Sequence, residues 1–134
     1  MSTTAYIRFG TVDIATIRDL QEKHFDDKKP KVEILGQMVK LFGTSKRMLT
    51  FYKKGTQCSA CGLQASFYAL ERGIKDPVTH PYHLNLYGVG QDGSDVLFTH
   101  DHTTARSAGG ADNMTNLTTM CGPCNWSKGE KERK

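Results

Sequence analysis

Residues 95–102, Asp95-Val96-Leu97-Phe98-Thr99-His100-Asp101-His102, and residues 121–129, Cys121-Gly122-Pro123-Cys124-Asn125-Trp126-Ser127-Lys128-Gly129, decide the reading of this chain. Asp95 to His100, with its aromatic and β-branched residues, predicts a strand. Gly90-Gln91-Asp92-Gly93 has the composition of a hairpin turn and joins it to a preceding strand over Tyr82–Val89. In that strand Leu84 and Leu86 fall on one face, and His83, Asn85 and Tyr87 on the other. Ala65–Leu70 reads as a further strand, and the stretch from Arg72 to Pro81 as an irregular excursion. Thr103 to Asn116 is small, polar and Gly-rich, hence a loop, whereas Pro123 to Lys134 has a helical composition.

The four cysteines form two pairs, Cys58-Ser59-Ala60-Cys61 and Cys121-Gly122-Pro123-Cys124. No basic start followed by an apolar stretch opens the chain, so no signal peptide is visible and a cytoplasmic setting is expected. In such a chain paired CxxC motifs point to zinc rather than to disulfides. A CxxC turn presents two thiolates to one tetrahedral ion at about 2.3 Å. A redox CxxC is expected once and beside a βαβ pattern, which is absent. One structural Zn²⁺ held by Cys58, Cys61, Cys121 and Cys124 is therefore expected.

Composition sets the outer limits. The 134 residues amount to one domain, and 37% hydrophobic residues suffice for a modest core. No apolar run approaches the roughly 20 residues of a spanning helix, which argues against a membrane protein. Residues 1–57 carry 11 Lys and Arg against 6 Asp and Glu, which concentrates the net +4 of the chain in this segment. They read as helical: Ile14, Ile17 and Leu20 recur at near-helical spacing, with Asp13 as a cap and Lys28-Lys29-Pro30 as a stop. A second amphipathic run has Val32, Leu35, Met38, Val39 and Phe42, then Met48, Leu49 and Tyr52, broken at Gly43-Thr44-Ser45, where Thr44 or Ser45 caps a further helix. Its lysines form either a solvated helical face or a DNA-facing surface. The expected division is a basic helical extension over 1–57, packed on the same domain as a zinc-stabilised core over 58–134.

The chemistry gathers at the end of the strand. Asp101 is a hard oxygen ligand suited to Mg²⁺ or Mn²⁺. Asn125 follows the second cysteine pair at the start of the terminal helix, where zinc fixes its position. Two oxygen ligands leave coordination positions open for water and a phosphate, the hallmark of a catalytic rather than a structural site. His102 has a pKa suited to taking a proton from water near neutral pH. Asn116 is placed to hydrogen-bond backbone across the loop and orient His102. These elements together resemble the HNH endonuclease family, whose ββα-metal motif reads approximately Asp-His-x-x-Pro, Gly-Gly, Asn-Leu and CxxC-Asn-x-x-Lys-Gly. They stand here as Asp101-His102-Thr103-Thr104-Ala105, Gly109-Gly110, Asn116-Leu117 and Cys121 through Gly129, with the Cys58/Cys61 pair upstream. The family proline is replaced by Ala105.

The resemblance implies an α+β fold: a ββα-metal core with a four-cysteine zinc site, preceded by N-terminal helices. It implies DNA as substrate, Asp101 and Asn125 as ligands of the catalytic divalent metal, His102 as general base and Asn116 as the central Asn. Arg106 either stabilises charge on the leaving group or positions a phosphate. His100 reads as a structural or substrate-contacting residue, while His24 and His80 read as surface residues. Trp126 packs the terminal helix on the hairpin. The competing function is a non-catalytic zinc module that binds nucleic acid or protein through the N-terminal helices, but such a module has no use for Asp101, His102, Asn116 and Asn125 together. A small bacterial or phage nuclease, monomeric or a small homo-oligomer, is the expected setting.

Overall fold

Five antiparallel strands form the main sheet of the computed structural model, which describes residues 6–42, 46–77, 79–102 and 116–132. In chain order the elements are β1 (Tyr6–Val12), α1 (Ile14–Lys23), β2 (Lys31–Ile34), β3 (Gln37–Lys40), α2 (Arg47–Lys54), β4 (Phe67–Gly73), β5 (His83–Val89), β6 (Asp95–His102), β7 (Leu117–Cys121) and α3 (Gly122–Glu132). The sheet order is β1-β4-β5-β6-β7, and β2 pairs with β3 as a separate hairpin. The fold is mixed and strand-rich.

The N-terminal segment corrects the expectation of a helical extension. It contributes three strands and two helices, and β1 hydrogen-bonds to β4 at the edge of the main sheet. Tyr6-Ile7-Arg8-Phe9 escaped notice because a bulge between Arg8 and Gly10 breaks the period-two pattern. The run Val32, Leu35, Met38, Val39 imitates helical spacing, yet it is a hairpin. Leu35 and Gly36 both adopt positive φ, 52° and 81°, so the chain reverses in two residues and pairs Val32 with Val39. Glycine at 36 takes this conformation without a Cβ penalty, and Leu35 bears the strain.

Helix α1 falls where it was expected, with Ile17 wholly buried. Asp13 stands at its N-cap position but makes no side-chain cap bond, and its carbonyl accepts from Ile17 N–H instead. The Gly43-Thr44-Ser45 break lies outside the described residues, and Lys46 stands at the N-cap position of α2. The β5–β6 hairpin follows the sequence reading: Gly90 N–H bonds Ser94 O at 2.8 Å and Tyr87 pairs with Leu97.

One core lies between the sheet and α1 and α2. Tyr68 and Leu70 of β4, Leu84 and Leu86 of β5, Phe98 of β6 and Met120 of β7 meet Ile17, Met48 and Phe51 there. Burying an aromatic such as Phe51 is worth about 3–5 kcal/mol against truncation to alanine. The opposite face of β4 and β5 is polar but closed. Glu71 is 1% exposed and accepts hydrogen bonds from Asn85 Nδ2 (2.8 Å), Tyr87 OH (2.6 Å) and Arg8 Nε (2.8 Å). Arg8 also reaches Asp95 at 2.9 Å and lies over the Phe67 and Tyr87 rings. Burial opposes the charge on Arg8, but Glu71 and Asp95 outweigh it and raise its pKa further. One buried carboxylate, satisfied by three donors, thus locks β1, β4 and β5 together.

Candidate active site

The four cysteines converge from two distant stretches. Their sulfur atoms all lie within 4.8 Å of one another. Cys61 Sγ and Cys121 Sγ are 3.8 Å apart, which matches the edge of a tetrahedron with metal–sulfur distances of about 2.3 Å. Local backbone builds the first half. Gly62 N–H bonds Cys58 O at 3.0 Å, Cys58 N–H bonds Leu63 O at 2.8 Å, and Cys61 N–H points at Cys58 Sγ at 3.4 Å. Ser59 N–H then bonds Thr119 O at 3.0 Å, which stitches this turn to β7 two residues before Cys121. Burial works against ionisation of Cys58, but backbone amides of Cys61, Cys121 and Ala60 outweigh it and lower its pKa to about 6. Burial raises Cys121 and Cys124. Four soft donors in this spacing fit one Zn²⁺, whose charge would hold all four as thiolates.

Cys121 ends β7 and Cys124 lies in the first turn of α3, so the cluster fixes where the helix starts. Asn125 follows immediately. Its Nδ2 donates to Thr99 Oγ1 at 2.8 Å and to His100 O at 3.3 Å. Three residues on, on the same face of α3, Lys128 Nζ lies 3.0 Å from Asp101 Oδ2 and donates to His102 O. Thr99 and Asp101 share one face of β6, the face that α3 covers, His100 falls on the other, and His102 closes the strand next to Asp101.

The structure therefore brings Asp101 and Asn125 to one β6–α3 seam, with Thr99 and Lys128 between the same elements. His102 stands at the last residue of β6, half-buried, and pairs in register with Leu117. Asn116 is the residue before Leu117, which sets it beside the end of β6 that His102 occupies. Arg106 lies outside the described residues, as do Ala105 and the Gly109-Gly110 pair. Trp126 is 53% exposed, and its ring carbons come within 3.0 Å of where a Cβ on Gly122 would stand. His83 opens β5 and meets Tyr6 edge-on at 5.7 Å. Lys128 and Thr99 received no role from sequence reasoning. The signal for Lys128 was its spacing, three residues beyond Asn125 on a helix. For Thr99 it was its position two residues before Asp101 on a strand.

Hydrogen bonds and charge give this seam a definite chemistry. Asp101 is a carboxylate at a strand end, and a cation already stands on it in the form of Lys128. An Asp oxygen and an Asn oxygen suit a hard divalent ion such as Mg²⁺. Among the described residues no helix is long and apolar enough to cross a membrane.

Residues 90–131 match the family model described as HNH endonuclease. The matched span begins at the β5–β6 turn and ends within α3, so it contains Asp101, His102, Asn116, Cys121, Cys124 and Asn125, while Cys58 and Cys61 lie upstream. It covers just under a third of the chain. No curated protein and no solved structure matches the chain.

Proposed function

We propose that the HNH segment matched over residues 90–131 acts as a metal-dependent DNA endonuclease, hydrolysing phosphodiester bonds. The observation that carries this reading is the β6–α3 seam: Asn125 and Lys128 on one helix face, set against the strand end that holds Asp101 and His102. A module that only binds needs the four cysteines, but not this arrangement.

In this reading Asp101 and Asn125 would hold one Mg²⁺ or Mn²⁺. Bound there, the ion supplies Lewis-acid stabilisation of the phosphate oxygens and of the leaving 3′-oxygen. His102 takes the proton of the attacking water as general base. Asn116 orients His102, and Arg106 supports a phosphate or the developing charge. Cys58, Cys61, Cys121 and Cys124 would hold one Zn²⁺ that fixes α3 in place and takes no part in the reaction. Residues 1–57 form a basic extension of the same unit as the 58–134 core, a view supported by the β1–β4 pairing. The setting we infer is the cytoplasm of a bacterial or phage-infected cell.

Incubation of supercoiled plasmid with Mg²⁺ or Mn²⁺ tests the reading. Wild type should relax or linearise it, and His102→Ala should lose cutting while keeping its zinc and its thermal transition. Intact plasmid under both metals would leave the zinc-binding module as the better account.

A further inference from the structure

A cavity of about 420 Å³ opens between the β2–β3 hairpin, the start of α2 and the residues that lead into β5. Lys31, Lys40, Arg47, His80 and His83 line it, together with apolar side chains such as Met38, and among the described residues no carboxylate does. Asp76 stands at its edge, 3.9 Å from His80 Nε2. Lys31 and Lys40 are direct partners across the hairpin. Like charges facing each other in an antiparallel pair oppose folding, so the pair costs stability unless an anion lies between them. Arg47 is held in place at the cavity wall, its Nη2 donating to Leu84 O at 2.9 Å. Burial, and then the charge of Arg47, push the His83 pKa below its ordinary value. The environment is thus positive and partly dry, which strengthens attraction for an anion.

Position gives the cavity its meaning. β5 and β6 are antiparallel neighbours that pair from Tyr87 with Leu97 to Val89 with Asp95, so the start of β5, at His83 and Leu84, lies toward the same end of the sheet as the end of β6, at His102. Leu84 and Tyr82 line the cavity. Neighbouring strands lie about 4.8 Å apart. The cavity and His102 therefore lie toward one end of the sheet, where one nucleic-acid strand can run past both. We propose that this cavity is a phosphate subsite for the DNA backbone that runs past the candidate active site. The assignment of the strand rests on the nuclease reading, whereas the subsite's affinity for a backbone phosphate does not.

The test is fluorescence anisotropy of a labelled short duplex, without divalent metal so that no cutting occurs, over a salt series. Lys31→Ala/Lys40→Ala is compared with wild type and with Lys23→Ala/Lys75→Ala as a control outside the cavity. Both lysines of the cavity pair are exposed, and their removal relieves a repulsion, so the variant should fold and melt no lower than wild type. We expect duplex affinity about tenfold weaker and a salt slope smaller by one to two, with the control unchanged. Equal affinity and slope for the cavity variant and wild type would overturn the proposal. So would competition by millimolar inorganic phosphate that depends on Lys31 and Lys40 while duplex binding does not, which marks a free-anion site. If wild type never cuts plasmid yet duplex binding still falls on loss of the two lysines, the nuclease reading fails and the subsite stands.

Discussion

Lys128 Nζ, on α3, lies 3.0 Å from Asp101 Oδ2, at the end of β6. Both side chains are about a quarter exposed, so the pair is screened less than a surface pair. An ammonium in this position offsets the charge of Asp101, and a divalent ion held there would compete with it for the same oxygen.

Lys128→Met should therefore tighten binding of Mn²⁺ in the absence of DNA. A pair of this exposure is worth about 1 kcal/mol, or about fivefold in affinity. Titration followed by water-proton relaxation reads the change directly. Weaker Mn²⁺ binding in the variant would mean that Lys128 holds the seam in shape instead of blocking it.

The cysteine cluster joins residues 58–61 to residues 121–124, and so ties the β7–α3 corner to the chain just before β4. Cys58→Ser should reduce bound zinc below one per chain and abolish the cooperative melt, since metal binding energy of this kind is folding energy. A strong chelator should do the same to wild type. Ser59→Ala, which keeps the Ser59 N–H to Thr119 O bond, should change stability by no more than about 0.5 kcal/mol. Zinc content and far-UV circular dichroism settle each case.

What could be read from residues alone divides along physical lines. The β5–β6 hairpin and the cysteine quartet were legible because local turn chemistry and ligand spacing write them into short stretches. The faces of β5 were read correctly as well, with Leu84 and Leu86 inward, though Asn85 and Tyr87 proved buried too. The N-terminal strands were not legible. The β1 pattern is interrupted by a bulge at Phe9, and the β2–β3 turn depends on Leu35 entering a conformation that β-turn rules reserve for glycine or asparagine. β7 escaped because Leu117-Thr118-Thr119-Met120-Cys121 is short, follows a loop and gains its order from pairing with β6. At the site, Asp101, His102 and Asn125 stood out as chemistry. The Lys128 contact is a tertiary pairing that only the packing of α3 on β6 creates.

Gly122 begins α3 beside β6. A Cβ there would stand 3.0 Å from Leu97 O and 3.0 Å from two ring carbons of Trp126. The ring is half exposed and can swing away, but the strand carbonyl cannot. Gly122→Ala should cost about 1–2 kcal/mol, the overpacking penalty less the helix preference of alanine. Urea denaturation measures the loss, and Trp126 emission should shift to the red as the ring leaves the helix start.

His83 makes stability depend on pH in a definite direction. Burial is the larger cause of its lowered pKa, followed by the charge of Arg47, with His80 acting the same way and Glu71 and Asp76 opposing. The unfolded chain binds the proton at about pH 6.5, and the folded chain at a lower pH. The contribution is thus complete above pH 6.5 and is lost as pH falls from there through the folded value. His83→Gln should flatten that part of the decline in melting temperature between pH 7.5 and 5. Acid also releases zinc from the cysteines in both proteins, so the difference between variant and wild type is the quantity to follow. A duplex bound at the cavity should move the His83 titration upward, because a phosphate favours the imidazolium. Imidazole carbon shifts followed by NMR with and without an uncleaved duplex give the sign, and a downward or absent shift would separate His83 from the phosphate.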